Sequence, residues 1–155
     1  MAAFPKYSIH IKEFSELNTT ELYELIKLRI DVFVVEQDCP YSDLDGKDYG
    51  ATHLWYASDD GVIMAYARIL KPGVSYDEAA IGRVIVAEDF RLYKLGSKLM
   101  KDAIDHISTD KNQAIRLSAQ KHLEQFYENL SFKSTGKEYL EDGIPHVEML
   151  RPIIS

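Results

Sequence analysis

Apolar and polar side chains alternate from the start of the chain. Tyr7, Ile9 and Ile11 are interleaved with Ser8, His10 and Lys12, the period of a half-buried strand with His10 on its solvent side. Asn18-Thr19-Thr20-Glu21 then places a side-chain acceptor before a carboxylate three residues on, a capping box that starts a helix. Leu22, Leu25, Ile26, Ile30 and Phe33 form the apolar face of that helix. Arg29 lies on the same stripe, which demands either a snorkelling side chain or a partner carboxylate. The apolar run 32–35 carries the helix toward the core, and Glu36 and Gln37 arrive at its border.

A breaker-rich loop follows, with Cys39-Pro40-Tyr41 and Asp43-Leu44-Asp45-Gly46. Its two aspartates lack the further oxygen ligands and the late glutamate of an EF-hand, so no calcium site is expected. Residues 53–58 and 62–70 read as antiparallel strands joined by Asp59-Asp60-Gly61, and residues 79–86 as a third strand. Gly96, Leu99, Met100, Ala103, Ile104 and Ile107 recur at helical spacing. Residues 113–118 alternate again, and Phe126, Tyr127 and Leu130, with His122 or Leu123, give a short helix. Strand-like pieces around Phe132, 138–140 and 147–150 close the chain, with Asp142-Gly143 as a turn. The order β-α-β-β-β-α-β-α-β-β predicts an α/β fold, helices on a mixed sheet.

The length of 155 residues fits a single domain over 1–155, and 46% hydrophobic content supplies a core. A net charge of −7 argues against nucleic acid or an anionic membrane as partner, since both select basic surfaces. Cys39 is the sole cysteine, so no internal disulfide and no thiolate zinc site can form, and no metal is expected. The start of the chain lacks the pattern of a secretory leader, and no apolar run reaches the roughly 18 residues of a membrane span. These features lead us to expect a soluble cytoplasmic protein, a homodimer being among the assemblies the composition allows.

The chemistry concentrates between the third strand and the helix after it. The turn Arg91-Leu92-Tyr93-Lys94-Leu95-Gly96 leads into a helix start, where unpaired backbone N–H groups and the helix dipole make a phosphate seat. Arg91, Lys94 and Lys98 add positive charge around it in an otherwise acidic protein. A nucleotide fold is disfavoured: no Gly-x-x-x-x-Gly-Lys-Ser/Thr stretch exists, and no Gly-x-Gly-x-x-Gly follows a strand.

The turn resembles the Gln/Arg-x-x-Gly-x-Gly/Ala signature of the GNAT superfamily of acyl-CoA-dependent N-acyltransferases, with Lys94 standing where the first glycine usually sits. Residues 119–132, with Phe126-Tyr127 shortly before Ser131-Phe132, resemble a second block of the superfamily. Together with 33–46, 65–70, 81–86 and 141–149, the pattern is similar to the ElaA-type branch.

That resemblance implies a GNAT-like, mostly antiparallel central sheet flanked by helices on both faces. It implies acetyl-CoA as cosubstrate, with an amine of a small molecule or a protein as acceptor, attacking directly in a ternary complex. Amides of Arg91, Leu92, Tyr93, Lys94, Leu95, Gly96 and Ser97 would hold the coenzyme diphosphate, and Val84, Ile85 and Val86 would offer N–H donors to the thioester oxygen. Tyr127 occupies the position of the acid that protonates the departing thiolate, and Gln120 sits where asparagine often faces the pantetheine. Glu36 and His146 are the candidate bases, and Glu36, Asp43, Asp45, Glu141 and Asp142 would form an acidic mouth for a cationic acceptor. The rival reading is a binding module of the same fold that senses acyl-CoA without turnover.

Overall fold

The computed structural model describes residues 5–108 and 113–153. Residues 1–4, part of the stretch read for a leader, lie outside it. Strand β1 (Tyr7–Glu13) leads through a short 3-10 turn to helix α1 (Thr19–Ile30). The capping box forms as the sequence predicts: the Glu21 amide donates to Asn18 Oδ1 at 2.8 Å, and the Asn18 amide to Glu21 Oε1 at 3.0 Å. A cap of this kind is worth about 1 kcal/mol. The helix continues as a π-helical segment, Asp31–Glu36, whose wider turn is a form common at functional sites.

Strands β2 (Thr52–Ser58), β3 (Ile63–Leu70) and β4 (Ala79–Val86) follow as an antiparallel meander. A 3-10 turn (Glu88–Tyr93) then enters helix α2 (Leu95–Ser108), where the sequence suggests only a short basic turn. After it come β5 (Ile115–Gln120), the short α3 (Glu124–Glu128) and the hairpin β6 (Lys133–Glu141)/β7 (Ile144–Arg151). The sheet has seven strands in the order β1-β2-β3-β4-β5-β7-β6, every pairing antiparallel except β4 with β5.

Both faces are covered. Leu99, Met100 and Ala103 of α2 pack with Leu54, Ala67 and Ile115 on one side, while Leu25 of α1 packs with Trp55, Tyr66 and Ile85 on the other. Period-2 side chains thereby feed two cores, which is why β2 and β3 are buried almost throughout.

Strand β1 departs from its expected facing. Ile9 is 46% exposed and Ile11 40%, while His10 is half-buried and stacks on Trp55 with ring centroids 5.0 Å apart. The strand pairs with β2 at the edge of the sheet, so its apolar row has no further strand beside it. The broad indole beside it offers His10 cover that an alternation pattern does not reveal.

Candidate active site

Among the described residues, strands β4 and β5 pair only at Ala79 with Ile115 and Ala80 with Arg116, and then part. Peptide groups alternate sides along a strand, so beyond Ala80 the groups of β4 that point toward β5 have no ladder partner. The opening is a cleft of about 1330 Å³ whose walls include Val84, Ile85 and Val86 of β4 and Ser118 and Gln120 of β5.

A bulge adjusts β4 at the same level. Arg68 pairs with Gly82 and Tyr66 with Ile85, so β4 carries one residue more than β3 between these pairs, and Arg83 takes a left-handed backbone with φ 50°. At the far end of the strand, Lys94, Leu95, Gly96 and Ser97 line the cleft where α2 begins. The first amides of a helix are free of intrahelical bonds, so this turn presents donors and the positive dipole end to the cleft. Lys94 has φ 55° and ψ 34°, the left-handed geometry that glycine adopts without strain, so this lysine holds a glycine-like bend at a cost of about 1 kcal/mol. Lys101 adds a second cation on the wall. Leu92 and Tyr93 do not line the cleft: Leu92 is exposed, and Tyr93 packs against the core.

Arg91 and Glu36 meet across the opening. Arg91 Nη1 and Nη2 donate to Glu36 Oε1 and Oε2, both at 2.6 Å, and Arg91 Nε donates to the Val86 carbonyl at 3.0 Å. The guanidinium holds the Glu36 carboxyl below the usual carboxylate range. Tyr127 is buried on the cleft wall between Phe126 and Phe132, and burial alone pushes its hydroxyl pKa up to about 12. His146 stands opposite Gln120 in the β5/β7 register. Its Nδ1 lies 2.7 Å from the Ile144 carbonyl and its Nε2 3.2 Å from Glu141, so both ring nitrogens face acceptors.

The cleft thus gathers Glu36, Tyr127, His146, Gln120, Val84, Ile85, Val86, Arg91, Lys94, Leu95, Gly96 and Ser97 along one channel. The acidic mouth takes a different form. Asp43 accepts from Arg29 Nε at 2.8 Å, Asp48 from Arg29 Nη1 at 2.6 Å, and Asp45 from Arg68 Nη1 and Nη2 at 2.8 Å each. Two of the expected anions are therefore neutralised by buried guanidinia, and Asp43 and Asp45 serve arginines in place of a cation. The partner carboxylates that Arg29 demanded are Asp43 and Asp48. Sequence reasoning missed Arg68 and Arg83 as their companions, although each stands alone among apolar neighbours in its strand, the same signal that marked Arg29.

Residues 24–151 match the family described as acetyltransferase (GNAT) domain. The chain belongs to the GNAT acetyltransferase family. It is 43% identical to protein ElaA of Escherichia coli K12 over 146 residues, 90% of this chain and 93% of that protein. The crystal structure of E. coli ElaA superposes with a TM-score of 0.87 at 39% identity, covering 94% of this chain and 99% of that one. An acyl-CoA N-acyltransferase from Pseudomonas aeruginosa gives 0.86 at 38% identity, covering 94% and 99%. The AHL synthase LasI shares the fold alone, with a TM-score of 0.79 at 14% identity. The parted strands and the helix start of this GNAT domain therefore belong to an acyltransferase framework. Among the described residues, no helix is long and apolar enough to cross a membrane, and no group of histidine, cysteine and carboxylate side chains could hold a metal ion.

Proposed function

We propose that this chain moves an acetyl group from acetyl-CoA to a primary amine, by direct attack in a ternary complex. The observation that carries this reading is the parting of β4 from β5 with the start of α2 at the open end. A coenzyme diphosphate on the amides of 94–97 would direct its pantetheine arm along β4. The thioester carbonyl would then lie beside those amides of the 84–86 stretch that point away from β3, placed to stabilise the oxyanion as the amine attacks.

As the tetrahedral intermediate collapses, the C–S bond breaks and the thiolate needs a hydrogen-bond donor. Tyr127 supplies its hydroxyl. A donor near pKa 12 facing a thiol near 8.5 makes complete proton transfer uphill by about 5 kcal/mol, so the hydroxyl acts chiefly by bonding to the sulfur while charge develops. The amine proton goes to His146: Glu141, half exposed, can swing off Nε2, whereas Glu36 is held by two short bonds that lower its basicity. Gln120, across the β5/β7 ladder from His146, faces the pantetheine.

The occupied state of Glu36 and His146 favours one second reading, a module that binds acyl-CoA without turnover. An assay with acetyl-CoA and a panel of amines, following free thiol and acetylated product by mass spectrometry, decides between them. Product formation that Tyr127→Phe lowers supports the transferase; CoA binding without product on any amine supports the module.

A further inference from the structure

The cleft carries, at the β4 bulge, a feature that acyl transfer itself does not require. Arg83 sits at the β4 bulge in a left-handed conformation (φ 50°), one residue before the stretch proposed to meet the thioester. An arginine without glycine's freedom stays in that region only where its surroundings over-determine it, a situation concentrated at ligand sites. Its head is fixed on one side only. Nε lies 2.8 Å from Asp43 Oδ1, Nη2 donates to the Asp43 carbonyl at 3.1 Å and to Asp45 Oδ2 at 3.4 Å, and the plane lies 5.6 Å over the Tyr41 ring. Nη1 has no hydrogen-bond partner among the described residues, and the side chain lines the cleft.

Room and charge agree with this. Gly82, next to Arg83 on the cleft wall, has open space where a side chain would stand, with nothing within 4 Å of an added Cβ. Arg29, Arg68 and Arg83 balance Asp43, Asp45 and Asp48, while the Lys47 ammonium on the same wall bonds Ser75 Oγ at 2.8 Å and, among the described residues, pairs with no carboxylate. That wall therefore carries one cation in excess. The β6/β7 turn lines the same cleft with Glu141 and Asp142. Charge in the cleft thus suits an acceptor that offers a negative group to Arg83 and an ammonium to Glu141 or Asp142.

We propose that Arg83, backed by Lys47, is the carboxylate subsite for the acceptor, so that the amine acylated is of amino-acid type. This rests on the acyltransferase reading of the same cleft. A planar guanidinium with a free N–H edge suits a carboxylate, and a charge-assisted bond of this kind changes affinity by roughly 10- to 100-fold.

The test uses matched probes: lysine with cadaverine, phenylalanine with phenethylamine, and histidine with histamine. Each is titrated into the full-length protein saturated with CoA, and each pair is also compared for kcat/KM with acetyl-CoA. The carboxylate-bearing member of at least one pair is expected to bind at least about 10-fold tighter than its decarboxylated partner. In Arg83→Gln that ratio falls toward one, and in Arg83→Gly, which relieves the backbone strain, it falls likewise in a fully folded protein. Members of every pair binding equally, or none binding, overturns the proposal, as does a ratio that survives both substitutions. The CoA titration itself reports on the underlying reading: absent CoA binding defeats that reading, whereas CoA binding without carboxylate preference defeats only the subsite.

Discussion

Arg91 holds both oxygens of Glu36 in a fork, tying the end of the α1 extension to the turn that precedes α2. The pair is near 40% exposed, so it contributes no more than about 1 kcal/mol and can open. Its weight lies in competition, because a coenzyme diphosphate and the Glu36 carboxylate are rivals for one guanidinium. Glu36→Gln is expected to tighten CoA binding by up to about 5-fold, and Arg91→Ala to weaken it by a similar factor. Calorimetry at low and moderate salt checks both, with the Glu36→Gln gain shrinking as salt rises.

Lys94 occupies a glycine-like bend, so Lys94→Gly removes strain from the turn. We expect a rise in stability of about 0.5–1 kcal/mol, read by urea unfolding, together with weaker CoA binding through loss of a cation from the cleft wall.

Tyr127→Phe is expected to lower kcat by about 10- to 100-fold, while the KM for acetyl-CoA changes little, since the hydroxyl matters most as sulfur gains charge. Burial raises its pKa to about 12, so no alkaline loss of rate below about pH 11 should trace to this group. A pH–rate profile of both proteins provides the measurement.

Stability should fall with acid in two stages. Burial depresses the His53 pKa, so the unfolded chain takes up a proton that the fold refuses, and stability is lost as pH drops below about 6.5. Asp45 and Asp48 resist burial through the hydrogen bonds and charge of Arg68 and Arg29, which hold their pKa values below the ordinary one. Their contribution is present above about pH 4 and is lost as pH falls through the depressed values. Melting scans from pH 8 to 2 follow the first stage through and the second from its onset near pH 4, and His53→Gln should remove the first. Asp48→Asn leaves Arg29 short of a charge in the interior and should cost about 3–5 kcal/mol at pH 7.

Local pattern was enough to locate α1, the meander of β2, β3 and β4, and the apolar face of α2, because each signal lies within a few turns of chain. Asn18 and Glu21 announce a helix start whatever they later pack against. The residues that meet across the fold were legible only one partner at a time. Arg29 declared a need for an anion, yet the loop that brings Asp43 and Asp48 to it follows no helical or strand period. Arg91 and Glu36 carry separate signals in the sequence, and only the arrangement of α1 beside β4 makes them a pair. The bulge at Arg83 was hidden for the same reason, since an extra residue in one strand is defined by its neighbour's register.

The central claim is that the first turn of α2 holds the coenzyme diphosphate. Titration of acetyl-CoA into the unmodified protein and into Gly96→Glu tests it most directly. A Cβ at Gly96 meets Phe126 and Val86 at 3.6 Å, ordinary contact, so the variant should fold and melt within a few degrees of the parent. The account predicts saturable binding by the parent and an affinity at least about 10-fold weaker in Gly96→Glu, where a carboxylate shares the anion seat. Equal affinity in the two proteins, or no binding by the parent, would contradict it.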